Sequence, residues 1–382
     1  MSRPSTDTHI TYASAGVDTA AGDRAVELMK ASVAATMTPA VVGEVGGFAG
    51  MVDVSDLRDY RRPLLATSTD GVGTKVAIAQ ALDIHDTIGA DLVGMVIDDI
   101  VVVGARPLLM TDYIACGKVI PERIADIVRG VANACAAVGT PLLGGETAEH
   151  PGLMEPGEYD VAGAATGVVE ADRVLGAERV RPDDVLIALA SSGLHSNGYS
   201  LVRRVVEHAG WQLDREVPEF GRTLGAELLE PTRLYTSVLL EIINRVDPVD
   251  ADPTALRVHA LAHVTGGGLA ANLARVLPAG TMADIDRGTW EVPPVFDVVR
   301  RLGSVPWDDL EATLNLGVGM VAVVSPDAVD DVLRGAESAG LPAWVLGGVH
   351  DAAGYTPQGR VVAGTKGVTG GGVDVFGAYR TA

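Results

Sequence analysis

The sequence predicts a mixed α/β protein of two domains. Short apolar runs of strand length alternate with longer segments whose apolar residues recur at helical spacing. This alternation is interrupted once, by a charged and proline-containing stretch at residues 170–184, and then begins again. With 382 residues the chain is long enough for two or three domains. We therefore predict an N-terminal domain at 1–172, a C-terminal domain at 173–363 and a glycine-rich, flexible tail at 364–382.

In the N-terminal block, each element follows from a local signal. The first helix is expected to begin after Asp18, an N-capping residue type, and to place Val26, Met29 and Val33 on one face. A later helix, at 121–138, begins with a proline, which is favoured in the first turn of a helix. The other predicted elements are a helix at 86–103 and strands at 64–68, 108–115, 141–143 and 161–169.

The C-terminal block shows the same alternation without repeating the sequence of the first block. Its predicted elements are strands at 185–190, 258–262, 318–324 and 343–349 and helices at 199–207, 232–246 and 327–339. Strands and helices mixed within each block indicate two α/β domains. Fold class alone says nothing about the chemistry.

Charge excludes several classes of function. The chain carries 50 acidic and 29 basic residues, a formal net charge of −21. Such a chain repels nucleic acid and anionic lipid, so we expect neither a nucleic-acid partner nor a membrane partner. A phosphate ligand would have to be bound by backbone N–H groups, by a few cations, or by metal ions held on carboxylates.

The polar N-terminal residues, the lack of a long apolar stretch and the scarcity of cysteines predict a cytoplasmic protein. The N-terminal residues are polar, and no stretch reaches the roughly 20 apolar residues of a membrane-spanning helix. The two cysteines, Cys116 and Cys135, fit neither a CxxC motif nor a zinc pair. We expect two reduced thiols that pack as small hydrophobic residues.

The glycine-rich segment TDGVGTK is the candidate phosphate-binding loop, since the sequence contains no Walker motif and no GxGxxG between a strand and a helix. It follows a predicted strand and opens a helix. Gly71 and Gly73 let backbone N–H groups turn toward a phosphate, while Thr74 and Lys75 add a hydroxyl and a cation. A tight strand-to-helix turn capped by Asp70 explains the segment equally well.

Two pairs of carboxylates, at 98–99 and at 146 and 149, include candidates to bind a metal ion together with phosphates. Asp98 and Asp99 lie on a predicted helix that is otherwise rich in Ile and Val, where a carboxylate is costly unless it is paired or binds metal. Asp99 is the better ligand candidate, although an ion pair within the fold deserves equal weight. Glu146 and Glu149 lie in the glycine-rich GGETAE segment, which we interpret as a loop at a strand end. Oxygen ligands with phosphates suit Mg²⁺.

Two other segments could contact a ligand. The glycine-rich stretch at 42–50 could close over a nucleotide as a lid. The segment SSGLHSNG at 191–198 follows a strand and precedes a helix, and so could bind an anion or a sugar. Within it, His195 has a pKa range suited to proton transfer, although a structural histidine is the more common case.

The segment TGGG at 265–268 is a second possible phosphate site, because successive backbone N–H groups can form an anion-binding concavity. His259 and His263 precede it and are four residues apart. They lie in a strand-like run rather than a helix, which argues against metal binding by the pair.

Taken together and in order, the segments resemble those of one known family. They are GVD at 16–18, GGFAG at 46–50, TDGVGTK at 69–75, HDTIGADLV at 85–93, GGETAEHPG at 144–152, EYDVAG at 158–163, SSGLHSNGYSLVR at 191–203, PTRLY at 231–235, HVTGGG at 263–268 and NLGVGM at 315–320. The series resembles the phosphoribosylformylglycinamidine cyclo-ligases, also called aminoimidazole ribonucleotide synthetases. The resemblance runs from about residue 11 to about residue 363.

The resemblance implies a homodimer whose N-terminal sheets pair into a barrel-like core. It also implies an ATP- and Mg²⁺-dependent ring closure of formylglycinamidine ribonucleotide to 5-aminoimidazole ribonucleotide, ADP and phosphate. Carried over by residue, the nucleotide-binding positions would be Gly46, Gly47, Phe48, Gly50, Asp70, Gly71, Gly73, Thr74, Lys75, Asp99 and Glu146. The metal ligands would be Asp70, Asp99 and Glu146, and the substrate-binding residues would be Ser192, His195, Ser196, Asn197, Thr265, Gly266 and Gly267. Catalytic roles would fall to His195, Asp70 and Lys75.

Other functions remain as alternatives on the same predicted fold. Thiamine phosphate kinase, selenophosphate synthetase and a hydrogenase maturation factor would share the architecture. The last would need a C-terminal cysteine, but this chain ends Arg-Thr-Ala. Selenophosphate synthetase would need a reactive cysteine near the N-terminus, but the first cysteine is Cys116. A nucleotide-binding regulator without catalysis is a further alternative.

Overall fold

The computed structural model describes residues 16–43, 46–364 and 369–381. The helices are α1 Thr19–Ala34, α2 Val76–Leu82, α3 Ile88–Val101, α4 Pro121–Ala137, α5 Tyr199–Ala209, α6 Leu224–Leu228, α7 Thr236–Val246, α8 Gly268–Ala274, α9 Pro294–Gly303, α10 Trp307–Glu311 and α11 Val329–Ser338. The strands are β1 Val41–Val42, β2 Met51–Val52, β3 Pro63–Gly71, β4 Arg106–Cys116, β5 Leu142–Glu149, β6 Tyr159–Glu170, β7 Val185–Ala190, β8 Glu216–Val217, β9 Arg222–Thr223, β10 Val258–His263, β11 Thr281–Asp286, β12 Glu291–Val292, β13 Val318–Val324, β14 Ala343–Asp351, β15 Arg360–Ala363, β16 Gly372–Phe376 and β17 Arg380–Thr381.

The N-terminal part is built on a four-stranded sheet in the order β3–β6–β4–β5. Helices α3 and α4 cover one face of this sheet, and α1 packs on α4. Leu92, Ile97 and Ile100 of α3 are completely or almost completely buried, so this helix is the centre of the N-terminal core.

The other face of the four-stranded sheet has no covering element among the described residues. We call it the open face and define it by Leu65, Thr67 and Thr69 of β3, Tyr113 of β4 and Glu146 of β5. Leu65 is 66% exposed and Tyr113 is 41% exposed. Apolar side chains on an exposed sheet are a common mark of an interaction surface.

The C-terminal part is built on a seven-stranded sheet in the order β10–β13–β7–β14–β11–β16–β15. On β7, Ile187 and Leu189 pack in the core that includes α7 and α11, whereas Leu186 and Ala188 join the larger core with α5, α8 and α9. Helices therefore cover both faces, which explains why the central strands are apolar throughout rather than alternating.

Most predicted elements are confirmed within a few residues. Asp18 caps α1 by accepting a hydrogen bond from the backbone N–H of Ala21 at 3.1 Å, as the sequence predicts. The helix predicted at 232–246 begins later, at Thr236. Both cysteines are free and buried, as expected. No helix in the described part of the chain is long and apolar enough to cross a membrane.

Two predictions based on glycine content are wrong. The GGETAE segment is not a loop, because β5 continues through it to Glu149. The residues after 363 are not a flexible tail as a whole, since β16 lies inside the seven-stranded sheet with Val373 fully buried. Residues 365–368 and 382 lie outside the described residues.

Candidate active site

The N-terminal and C-terminal parts meet around three buried charged side chains, Lys75, Asp91 and Asp98, and we call this region the central contact. The ammonium of Lys75 donates to Asp91 Oδ1 at 2.7 Å and to the backbone carbonyls of His195 at 3.0 Å and Glu230 at 2.6 Å. These bonds occupy all three of its N–H donors. Lys75 is fully buried, which does not favour direct contact with a phosphate, and its predicted nucleotide-binding and catalytic roles stay predictions.

The two carboxylates of the central contact hold residues 231–236 of the C-terminal part. Asp91 accepts hydrogen bonds from the backbone N–H of Thr232 at 3.0 Å and from its hydroxyl at 2.6 Å. Asp98 accepts from the backbone N–H of Tyr235 at 3.2 Å and from the hydroxyl of Thr236 at 2.7 Å. Burial raises the pKa of Asp98 to about 6, against the opposing effects of the His263 charge and of its hydrogen bonds. Asp98 is thus structural, in line with the preference for Asp99 as a ligand candidate.

Unlike the buried Asp98, its neighbour Asp99 has a side chain that is 42% exposed. Its Oδ1 accepts a hydrogen bond from Nδ1 of His263 at 2.9 Å. Burial by itself lowers the pKa of His263, but the hydrogen bond to Asp99 and the negative charges of Asp98, Asp99 and Asp70 outweigh it and raise the pKa. Asp70 and Asp99 therefore lie near the same imidazole. Sequence reasoning missed this role of His263, because its partner is 164 residues away.

Glu146 does not join Asp70 and Asp99, so the predicted three-carboxylate metal site is wrong within one chain. Asp70 lies opposite Gly163 and Asp112 in one row of the four-stranded sheet, on the face that α3 covers. Glu146 lies opposite Tyr113 in the next row, and adjacent residues of a strand point to opposite faces. Among the described residues no three metal-binding side chains form a cluster.

His195 lies at the centre of the 191–198 segment, 1% exposed and with a φ of +59°. Its Nε2 accepts a hydrogen bond from the backbone N–H of Ser192 at 3.1 Å, so the proton of the neutral ring is on Nδ1. Nδ1 has no hydrogen-bond partner in the described part of the chain. Burial, followed by the positive charges of His263, Lys75 and Arg233, lowers the pKa of His195 well below its usual value. His195 is therefore a neutral imidazole whose N–H donor has no partner among the described residues.

The other polar side chains of this segment bind neighbouring loops. The hydroxyl of Ser196 donates to the carbonyl of Val72 in the TDGVGTK segment at 2.5 Å. Asn197 accepts from the backbone N–H of Gly266 at 3.0 Å, and its amide contacts the sulfur of Met95 at 3.2 Å. The structure therefore brings together three predicted ligand-binding segments, but many of their polar atoms bond to each other.

The remaining predicted residues lie at the edges of this region. Thr74 is exposed and shares a 3.2 Å hydrogen bond with Ser200, and Gly73 has a φ of +74° with open space around it. The carbonyl of Thr265 accepts from the backbone N–H of Gly268 at 3.1 Å. Gly71 ends β3 and Gly267 precedes α8 with a φ of +104°. No contact of these residues identifies a ligand.

The glycine-rich stretch at 42–50 connects the short strands β1 and β2. Phe48 is fully exposed and Gly46 has a φ of +104° with open space around it. Gly50 has a structural role, since a Cβ there would lie 2.7 Å from Leu143 of β5. Residues 44 and 45 lie outside the described residues. The nucleotide lid at Gly46, Gly47, Phe48 and Gly50 stays a prediction.

Comparison with known proteins shows to which family this chain belongs. The N-terminal and C-terminal domains of AIR synthase related proteins match residues 51–169 and 181–360. The phosphoribosylformylglycinamidine cyclo-ligase of Geobacillus sp. (strain WCH70) is 46% identical over 92% of this chain and 99% of that protein. This chain belongs to the phosphoribosylformylglycinamidine cyclo-ligase family. The family member from Anaeromyxobacter sp. (strain Fw109-5) is 45% identical over 89% of this chain and 96% of its own. The resemblance found in the sequence is confirmed.

Solved structures of proteins with other names share this fold. Thiamine-monophosphate kinase from Stenotrophomonas maltophilia K279a matches with a TM-score of 0.62 at 18% identity, covering 92% of this chain and 96% of that one. The hydrogenase maturation protein HypE in complex with ATP matches with a TM-score of 0.55 at 16% identity, covering 86% of each chain. These matches confirm the mixed α/β fold that the cyclo-ligase family shares with other proteins.

Proposed function

We propose that this chain catalyses the ATP-dependent ring closure of formylglycinamidine ribonucleotide to 5-aminoimidazole ribonucleotide, with release of ADP and phosphate, in purine biosynthesis. The observation that carries the proposal is the 46% identity, along 92% of the chain, with a protein named phosphoribosylformylglycinamidine cyclo-ligase. The arrangement of the candidate site is consistent with this proposal. The charge of His263 lowers the pKa of His195, and the charges of Asp70 and Asp99 raise the pKa of His263, so the four side chains are neighbours.

The chemistry needs an activated formyl oxygen, because that oxygen is a poor leaving group. Transfer of the γ-phosphate of ATP to it creates a good leaving group. An amidine nitrogen then attacks the carbon, phosphate departs, and loss of a proton completes the imidazole. Phosphoryl transfer depends mostly on positioning and charge stabilisation rather than on covalent participation of the protein.

His195 suits the role of a neutral hydrogen-bond donor in this reaction. Its Nδ1–H has no partner in the described chain and is shielded from solvent, so a substrate oxygen would satisfy this donor once the site opens to admit the ligand. A proton shuttle would need a free lone pair, but Nε2 already accepts from Ser192. We therefore propose His195 as a donor that positions or stabilises the reacting oxygen, in place of the proton shuttle that the sequence suggested.

We further propose that the enzyme uses Mg²⁺ with ATP, held by Asp70 and Asp99. Magnesium ions are often bound by one or two carboxylates, with phosphate oxygens and water completing the shell. Two carboxylates near one buried histidine fit that donor set. When bound, the ion would neutralise charge on the transferring phosphate.

We also propose a cytoplasmic homodimer that forms through the open face. Leu65 of the edge strand β3 and Tyr113 of β4 are exposed on this face. Burying them against a second copy would remove apolar surface from water. This arrangement matches the paired N-terminal sheets that the family resemblance implies.

The test is a direct assay with purified protein, ATP, Mg²⁺ and formylglycinamidine ribonucleotide. We expect ADP and an aminoimidazole product in equal amounts, and neither when ATP or the substrate is left out. Tight ATP binding without any imidazole product would overturn the proposal and favour a nucleotide-binding regulator.

A further inference from the structure

Arg233 lies at the central contact, in the PTRLY motif, and neither the fold nor the proposed mechanism accounts for its charge. Its chain neighbours are held on both sides by buried carboxylates of α3. Asp91 binds Thr232 through the backbone N–H and the hydroxyl, and Asp98 binds the backbone N–H of Tyr235. The backbone on either side of Arg233 is therefore fixed.

The surrounding packing is equally tight. Gly94 lies between the two carboxylates on α3, and a Cβ at that position would come within 2.7 Å of the methyl group of Thr232. The hydroxyl of Ser192 donates to the carbonyl of Pro231 at 2.6 Å. Residues 231–236 thus lie directly against both α3 and the 191–198 segment. A side chain on such a support is preorganised for binding.

The guanidinium of Arg233 has no partner in the part of the chain that the structure describes. Its Nε is shielded from solvent and forms no hydrogen bond, and no carboxylate pairs with the group. Other partly buried arginines form ion pairs. Arg287 pairs with Glu311, and Arg222 pairs with both Glu227 and Glu230. In a chain with 50 acidic residues, an unpaired arginine at a buried contact is unusual.

The surroundings of Arg233 add further positive charge. After burial, the charges of His263, Lys75 and Arg233 all act on His195, which places the four groups close together. Lys75 is neutralised by Asp91, and His263 is paired with Asp99. Arg233 is the cation of this group with no counter-charge in the described structure. A site that keeps an uncompensated cation among other cations is suited to an anion.

We propose that Arg233 binds a phosphate group of a ligand at the central contact, close to His195. The guanidinium fork matches two phosphate oxygens at once, which an ammonium group cannot do. The inference rests on the proposed function only in the choice of ligand, because that reaction has two phosphate sources. They are the 5′-phosphate of the ribonucleotide substrate and the phosphates of ATP.

Isothermal titration calorimetry without turnover tests the proposal. Ribose 5-phosphate and a non-hydrolysable ATP analogue, each added separately, represent the two sources. We expect R233M to weaken one of them by roughly 10- to 100-fold, because a hydrogen-bonded charge pair is lost. R233K should lie between R233M and the unaltered protein, since it keeps the charge but not the fork. Thermal unfolding of both variants checks the fold, and R233K serves as the readout if R233M does not fold.

The outcomes separate the two ligand sources. Weaker binding of ribose 5-phosphate alone assigns Arg233 to the substrate phosphate, and weaker binding of the ATP analogue alone assigns it to the nucleotide. Unchanged binding of both probes in folded variants, or no binding of either probe to the unaltered protein, overturns the proposal. R204M is the matched control, since it removes the same charge from a side chain that is 75% exposed.

Steady-state kinetics gives an independent readout. In R233K, KM for the phosphate-bearing ligand should rise by more than kcat falls, as expected for a binding contact. If the ring-closure assay fails but R233M still weakens phosphate binding, the proposed function fails and this inference stands. If ring closure occurs and the Arg233 variants bind and turn over normally, the inference alone fails.

Discussion

The central contact buries charged side chains, whereas the open face exposes apolar and charged side chains to solvent. At the central contact, Lys75 and Asp98 are completely buried and each makes two or more hydrogen bonds within the chain. On the open face, Leu65, Tyr113 and Glu146 are exposed, and no described element covers them. The first region buries its ion pair and hydrogen bonds within one chain, whereas the second presents a surface that the described part of one chain leaves uncovered.

This difference separates residues that build the site from residues that could complete an assembly. Buried charges that are hydrogen-bonded to several segments define one arrangement of those segments, because other arrangements leave a charge unpaired. Exposed apolar residues on a sheet carry no such requirement. Stability should therefore depend most on the central contact, and oligomeric state on the open face.

The largest effect is expected from breaking the central ion pair. K75M leaves Asp91 buried without its counter-charge, and we expect the free energy of unfolding to fall by about 3–5 kcal/mol. Urea denaturation of the purified protein measures this loss. K30M is the matched control, because Lys30 pairs with Glu27 on an exposed helix surface and should cost less than about 1 kcal/mol. Equal losses in the two variants would contradict the central role of Lys75.

Asp112 differs from the charges of the central contact, because it lies on the covered side of the sheet without a side-chain partner among the described residues. Its Oδ2 is shielded from solvent and unbonded in the described structure, and burial raises the pKa of its carboxyl from 3.8 to about 7. The folded state therefore keeps a proton that the unfolded state releases above about pH 4. This contribution to stability is complete below pH 4 and is lost as the pH rises through 7.

We accordingly expect D112N to flatten the pH dependence of stability. A rise in pKa from 3.8 to about 7 corresponds to a loss of at most about 4 kcal/mol between pH 4 and pH 8. Urea denaturation at several pH values measures the free energy of unfolding, and the difference between the unaltered protein and D112N gives the contribution of Asp112. D330N, a substitution on an exposed helix surface, should leave the pH dependence unchanged. Identical pH profiles for all three proteins would show that Asp112 ionises normally.

The strands and helices with clear periodicity could be predicted from sequence, but the meaning of the glycines could not. GGETAE reads as a loop, yet a Cβ at Gly145 would lie 1.6 Å from Asp112 Oδ1, so the strand needs glycine there. The C-terminal glycines read as a flexible tail, yet a Cβ at Gly370 would lie 2.1 Å from the carbonyl of Ala274. In both segments, glycine provides close packing rather than flexibility, and a single sequence does not distinguish the two.

The candidate site shows the same limit. The sequence identified the TDGVGTK, SSGLHSNG and TGGG segments, and the structure brings them together through Ser196, Asn197 and Gly266. The sequence did not identify which side chains of these segments are buried. Lys75 reads as a phosphate ligand because of its glycine-rich neighbours, but its orientation is set by Asp91 and by carbonyls more than 100 residues away. Such contacts depend on tertiary structure.

The next prediction compares one carboxylate near His263 with one on the open face. We expect D99N to lower kcat/KM at least about 100-fold, because it removes a charge from the proposed Mg²⁺ site and weakens the bond to His263. E146Q should lower it less than about threefold, since Glu146 is on the opposite face of the sheet from Asp70. The ring-closure assay measures both. A larger loss in E146Q would place Glu146 in the site after all, through a second copy of the chain.

The smallest effect on the folded monomer, and the most selective one, is expected from L65E. Leu65 is 66% exposed in one chain, so a charge there costs the monomer little. In a dimer formed through the open face the same charge would be buried without a partner, which is strongly unfavourable. Sedimentation analysis should therefore show at least about a tenfold weaker dimer with an unchanged unfolding free energy. L153E, which alters a residue 83% exposed outside the open face, should leave the dimer intact. Should L65E also remain dimeric, the open face is not the interface, and the contrast between the two regions would concern stability alone.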